Sequence, residues 1–310
     1  MNEKHREDYA SRVRPSSPGL LLLALCLAGC ARSPSEPPAP APAALSVVDD
    51  AGRTVRLPAP ARRVLSLSPS TTELVFAVGA GDLLVGRTVH CDHPPAAAAV
   101  PAVGSLFPPD YERILATRPD LVLMLDGSLD VRQRLEARGL TTFVLQPPTV
   151  EAVAKALRTV GALVGRSAPA EAAAKRFKTA LAAVHLPAGP GPRVYYEIAS
   201  QPMVAAGPKG FVGDALRRAG ARDALGIDAE WPQVTAEQVI GADPEVIITT
   251  SAEARDAILR GDRPGFSAIT AVRTRRVYAV PNADWLSRFG PRVVDGVTWL
   301  AKVLPQGAAP

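Results

Sequence analysis

Arg63-Val-Leu-Ser-Leu-Ser-Pro-Ser-Thr-Thr-Glu-Leu-Val-Phe-Ala-Val-Gly79 is the stretch from which the fold can be read. Residues 63–68 form a short apolar run of the kind that fills a buried strand. Residues 70–78 read as a capped helix, and Gly79 closes it, because glycine accepts the left-handed turn at a helix end without strain. The same alternation continues downstream. Residues 110–117 read as a helix, 120–125 as a buried strand, 129–138 as a helix ending at Gly139, and 142–145 as a strand. Helices alternating with nearly continuous apolar strands indicate an α/β fold built on parallel sheets.

Further along, an Ala-rich region with patterned Leu and Val predicts helix over 150–184, interrupted near 165–169. After Pro187-Ala-Gly-Pro-Gly-Pro192 the alternation resumes, with strands at 194–198, 246–249 and 276–280 and helices at 213–219 and 291–303. The economical reading is two α/β lobes, 45–148 and 187–310, joined by a helical span over 149–186. A weak internal repeat supports it. Glu112 precedes Pro119-Asp120 and an apolar strand, and Glu237 precedes Pro244-Glu245 and another. Matching units in both halves imply lobes related by an approximate two-fold axis, although a common local supersecondary unit would look the same.

Residues 1–44 do not belong to this fold. Lys4, Arg6, Arg12 and Arg14 precede an apolar run from Leu20 to Ala28, the pattern of an export signal over 1–29. The run is shorter than the roughly 20 apolar residues of a bilayer-spanning helix. Leu27-Ala28-Gly29-Cys30 resembles a lipobox, in which Cys30 would be lipidated and become the N-terminus; an ordinary secretory signal with an incidental Cys30 is the alternative. The Pro/Ala/Ser-rich segment 31–44 suits an extended tether. With Cys26 in the signal and Cys30 at the anchor, Cys91 is left without an intrachain disulfide partner.

The formal charge of +5 belongs partly to the signal, and the remaining basic residues are scattered among acids, which argues against a nucleic-acid partner. No nucleophile elbow, phosphate loop or H-E-x-x-H metal helix is present, so no catalytic residue is assigned and an enzyme is not expected. His90-Cys91-Asp92-His93-Pro94-Pro95 is the densest polar cluster. It could ligate a transition metal, but no second cluster supplies the missing ligands. A proline-fixed loop presenting His90 to a cleft is the simpler reading, with no resident metal or cofactor. Two of the three tryptophans, Trp231 and Trp285, fall in polar loops beside hydrogen-bonding groups. Such loops suit a pocket for a large flat organic ligand, or they cap the ends of the core.

The stretch 63–79 resembles the opening of the helical-backbone class of metal-chelate-binding proteins, receptors for cobalamin, haem and ferric siderophores. Trp231-Pro-Gln-Val-Thr-Ala-Glu-Gln-Val and Asp284-Trp-Leu-Ser-Arg-Phe-Gly-Pro-Arg292 are more selective: both look like the corresponding segments of vitamin B12-binding members. The similarity covers about residues 62 to 303. It implies two Rossmann-like lobes bridged by a single long backbone helix, a ligand cleft between them and delivery to an ABC permease and ATPase complex. Trp231, Asp284, Trp285 and Arg288 would line the C-terminal side of the cleft. On the N-terminal side His90 and Leu106, with Phe107 beside it, stand where the family has a tyrosine and a tryptophan. Glu112 and Glu237 match the two glutamates that dock on the permease. The resulting expectation is an extracytoplasmic, lipid-anchored monomer that binds cobalamin or a related corrinoid. Haem (with His90 as axial ligand) or a ferric siderophore is the alternative within the class, and a metal-dependent envelope enzyme or a structural lipoprotein outside it.

Overall fold

The computed structural model describes residues 44–127, 129–185 and 189–304. The export signal, Cys30 and the tether up to residue 43 lie outside the described residues. A two-stranded antiparallel hairpin, β1 (Leu45–Val48) and β2 (Thr54–Leu57), opens the described chain. The first sheet comprises β3 (Val64–Ser66), β4 (Leu84–Arg87), β5 (Leu121–Met124) and β6 (Thr142–Val144). Its strands are all parallel, in the order β4-β3-β5-β6. The second contains β7 (Arg193–Ser200), β8 (Met203–Ala205), β9 (Arg222–Asp223), β10 (Val246–Thr249) and β11 (Val277–Ala279). Here β9, β7, β10 and β11 run parallel in that order, and β8 adds antiparallel to β7. The two parallel orders correspond strand for strand, as the sequence repeat predicts.

A pair of arginines shows why the repeat is structural. Arg63, just before β3, donates from Nη2 to the carbonyl of Thr117 (2.7 Å) and from Nε to that of Arg118 (2.9 Å). Arg193, at the start of β7, donates from Nη1 to Ala242 (2.6 Å) and from Nη2 to Asp243 (2.8 Å). In both lobes these carbonyls end the helix that begins near Glu112 or Glu237, Tyr111–Ala116 or Ala236–Ala242, where unpaired oxygens gather partial negative charge. Arg118 and Asp243 both turn the chain through the left-handed region, at φ 46° and 41°. The acid after each proline then secures the neighbouring strand: Asp120 accepts from the amides of Arg62 and Arg63, and Glu245 from that of Arg193.

Within 63–79 the strand is confined to Val64–Ser66 rather than 63–68, and the helix runs one residue earlier than expected, over Pro69–Ala77. Ser68 caps the helix Pro69–Ala77 by accepting from the amide of Ser70, and Pro69 occupies the first turn, where its missing N–H has no cost. The linking region holds two helices, Val153–Leu163 and Ser167–Ala182. The break falls where Gly165 adopts φ +67°. The pair packs so closely that a Cβ on Gly161 would stand 2.2 Å from that of Ala170. The first helix ends beside Ala61, whose amide bonds the Leu163 carbonyl, and the second starts where Arg166 pairs with Asp82 (3.0 Å). At its other end the first begins beside Asp214, which accepts from the amide of Val150 (2.8 Å). The pair therefore spans from one sheet's neighbourhood to the other's. One continuous hydrophobic cluster includes Leu74, Phe143 and Val160 together with Phe211, Leu286 and Val297, so both lobes share a core. Among the described residues no helix is long and apolar enough to cross a membrane.

Candidate functional site

The C-terminal ends of the central strands of both sheets open on one cavity of about 560 Å³. That position, outside the carboxyl ends of parallel strands, is where open α/β sheets bind ligands, because chain connections diverge there and leave backbone and short polar side chains free. The first lobe supplies Leu125, Asp126 and Gly127 just after β5, and Gln146 just after β6. The second supplies Tyr196 and Ile198 from β7 and Thr250 after β10. Val212, Glu230, Trp231, Ser287 and Phe289 complete the wall. The polar rim is held in place: Gln146 accepts from the amide of Asp126 (2.9 Å), and the Thr250 hydroxyl donates to the Ile198 carbonyl (3.2 Å). Trp231 is 40% exposed, an unusual position for so large an apolar surface, whereas Tyr196 and Phe289 are buried behind it. Phe289 meets Phe211 edge to face, with centroids 4.9 Å apart. Burial pushes the Tyr196 hydroxyl up, so it stays neutral. Asp126 and Glu230 are acidic, and none of the lining residues is Lys, Arg or His.

Beside the cavity a cluster of charges joins the lobes. Glu73, on the helix Pro69–Ala77, has a side chain only 2% exposed. Its carboxylate accepts from Nε and Nη2 of Arg292 (2.9 and 2.6 Å) and from Nη1 of Arg288 (3.1 Å). Arg288 also pairs with Asp92 (2.7 Å) and Asp284 (2.9 Å), and Arg292 lies 3.6 Å from Asp284. The Phe289 amide donates to Ser70 Oγ (3.0 Å). Two guanidinium groups thus meet three carboxylates, the pairing and hydrogen bonding that a buried charge needs.

The structure brings some of the sequence-selected residues together and not others. Trp231 lines the cavity. Asp284 and Arg288 lie next to it, turned toward one another and Glu73. Trp285 occupies a separate recess with Asp295, Thr298 and Trp299, against the helix Val293–Val303. His90 is exposed, Leu106 is half-buried against the first lobe's core, and Phe107 is 65% exposed; none of the three lines the cavity. Glu112 and Glu237 are exposed in the first turns of equivalent helices, capped by Asp110 and Thr235. Hydrogen bonds from its own amide and from Thr235 hold the Glu237 carboxyl below the usual range. Cys91 is buried within hydrogen-bonding distance of Thr88 (Sγ to Oγ1, 3.1 Å), and Asp92 is committed to Arg288. Among the described residues no three of His, Cys, Asp and Glu are grouped to hold a metal ion.

Asp126, Gln146, Glu230, Thr250 and Glu73 escaped the sequence reading. A usable signal existed for most of them: Asp126, Gln146 and Thr250 each follow an apolar strand within two residues.

The pairing of Asp92 has a measurable pH signature. A hydrogen bond from Arg288 holds the Asp92 carboxyl below its ordinary value. The stabilisation from this pair should be complete above about pH 4, the unfolded value, and lost as pH falls through the lower folded value. Asp92 is 68% exposed, so the contribution should stay below about 1 kcal/mol. Thermal melts of the parent and of Asp92→Asn should therefore differ slightly at pH 7 and draw together as pH falls below about 4; a gap that widens in acid contradicts the assignment.

Three comparisons place the chain among known proteins. It is 29% identical over 299 residues to an uncharacterized ABC transporter substrate-binding lipoprotein of Bacillus subtilis strain 168, covering 91% of this chain and 94% of that one. Its fold matches the crystal structure of the periplasmic vitamin B12-binding protein of Vibrio cholerae with a TM-score of 0.66 at 26% identity, over 79% of this chain and 96% of the other. A periplasmic heme-binding protein from Pseudomonas aeruginosa matches with a TM-score of 0.67 at 28% identity, over 79% and 92%. The two-lobe parallel-sheet architecture read from the sequence is that of these neighbours, and they are binding proteins rather than enzymes. The periplasmic binding protein model itself matches residues 64–283, from the first strand of the first sheet to the loop that enters the charge cluster. The chain belongs to the periplasmic binding protein family.

Proposed function

We propose that this protein is the extracytoplasmic receptor of an ABC importer and that its ligand is cobalamin or a related corrinoid. The cavity's lining carries the reading. It offers an aromatic face at Trp231, an amide at Gln146, hydroxyls at Thr250 and Ser287, and two carboxylates, without a single cationic side chain. A corrin is a broad ring edged with neutral amides around a cationic metal centre, so stacking surface and hydrogen-bond acceptors suit it. Haem carries two propionates and ferric siderophores are commonly anionic. Either would leave its charges facing Asp126 and Glu230, with like-charge repulsion in place of pairing. The likeness to both B12- and heme-binding neighbours fits the fold class equally, and it is the lining that supports the corrinoid.

Incubation of the purified chain with cobalamin, cobinamide and haem, followed by absorbance and mass analysis of what is retained, tests the reading. One corrinoid per chain is expected. No retained corrinoid, together with a haem Soret shift abolished by His90→Ala, overturns it in favour of haem.

We further infer that Cys30 carries lipid and tethers the protein to the outer side of a membrane. The lipobox-like Leu27-Ala28-Gly29-Cys30 and the likeness to a substrate-binding lipoprotein over nearly the whole chain support this. Cys30→Ser should release the protein in soluble form or leave its signal uncleaved. Wild-type protein recovered wholly soluble, with no lipid mass on its N-terminus, defeats the inference.

A further inference from the structure

We propose that Glu73 is the positioning residue of the cavity, setting the segment from Asp284 to Arg292 against the first lobe, and that Arg288 serves within this cluster rather than as a ligand contact. The geometry is specific. Both oxygens of a buried carboxylate are used, one shared by Arg288 and Arg292 and the other accepting from Arg292 Nε. Arg288 is 11% exposed and has both terminal nitrogens engaged, Nη1 by Glu73 and Asp92 and Nη2 by Asp284. Three of its five N–H donors are thereby committed to carboxylates, and the fixed plane of the fork limits where the other two can reach.

What the cluster holds is part of the cavity wall. Ser287 and Phe289, both lining residues, flank Arg288 in the chain, and the Phe289 amide is itself tied to Ser70 on the same helix as Glu73. Gly290 allows this close approach: a Cβ there would stand 3.3 Å from Glu73 Oε2. Asp92 extends the tie to the loop carrying His90. Three segments from two lobes are thereby fixed by five charged side chains. Leaving Arg288 and Arg292 short of one carboxylate frees the wall to move, because a buried cation without its partner seeks water.

The first test is hydrogen–deuterium exchange of the full chain in detergent, comparing the parent with Glu73→Gln, a change that keeps the side chain's shape and removes its charge. Faster exchange confined to residues 69–77 and 284–292, with the helix Val153–Leu163 unaffected, is the expected result. Unchanged exchange at 284–292 overturns the proposal. If Glu73→Gln loosens the whole protein or does not fold, Arg292→Lys decides, since it keeps the positive charge but loses the two-pronged contact with Glu73: a local rise at 284–292 supports positioning, and no change refutes it. The ligand arm rests on the corrinoid reading. There Glu73→Gln should weaken cobinamide binding at least tenfold, mainly through faster release, and affinity equal to the parent's counts against positioning. Should the parent bind no corrinoid at all, it is the corrinoid reading that fails, while the exchange contrast still decides the role of Glu73.

Discussion

Trp231→Ala is expected to weaken corrinoid binding about 30-fold, close to 2 kcal/mol, with almost no change in thermal stability. The indole is 40% exposed in the cavity, so folding draws little from it, whereas a bound ring would cover the remaining surface. Its backbone is held independently of its side chain. The Glu230 carbonyl accepts from the Gly207 amide and that of Pro232 from the Ala205 amide, both at 2.9 Å, and Val204 bridges Gln233. Truncation should therefore remove stacking area without moving the loop. Trp231→Phe should recover most of the affinity because an aromatic face remains. Calorimetry gives both numbers directly. An alanine variant that binds within threefold of the parent would show that the ligand does not lie on this ring.

The fold was legible because its signals are local. The strand–helix unit at 63–79 carries an apolar run, a capping serine and a closing glycine, all within one window. The Glu–Pro–acid repeat likewise reports a helix, a turn and a strand start that recur in the second lobe. Less visible were Arg63 and Arg193, which brace those turns, since scattered arginines give no period to detect. The strand Leu84–Arg87 and the opening hairpin were also missed, because each alternates less exposed with more exposed positions and none forms a continuous apolar run. The site was harder still. Glu73 read as one polar position on an ordinary helix, because its partners Arg288 and Arg292 lie more than 200 residues away and no helical or strand period connects them. Trp285 shows the converse limit. It sits one residue from Asp284, yet a single helical turn sends its ring into a different recess, so adjacency in sequence did not mean adjacency in the site.

Replacing Glu112 and Glu237 together with alanine should abolish most transport in a reconstituted importer while leaving ligand affinity nearly unchanged. Each glutamate occupies the first turn of the helix leading into a central strand of its own lobe, and the matched arginine braces place the two helices equivalently. Both side chains are exposed and neither lines the cavity. A permease built from two subunits could engage one on each. Two exposed carboxylates would steer and register docking onto basic residues, and added salt should weaken that attraction within a Debye length of about 10 Å. Single substitutions should cost less than half of the double's effect, because one surviving contact keeps the partner at high effective concentration. Local destabilisation is a competing cause, since acids favour a helix N-terminus. Gln substitutions at both sites address it: they keep most of the side-chain volume and remove the charge, so transport should fall with them as well, while thermal melting stays within a few degrees of the parent. A double alanine variant that transports at the parental rate at ordinary salt would reduce both glutamates to helix-start residues.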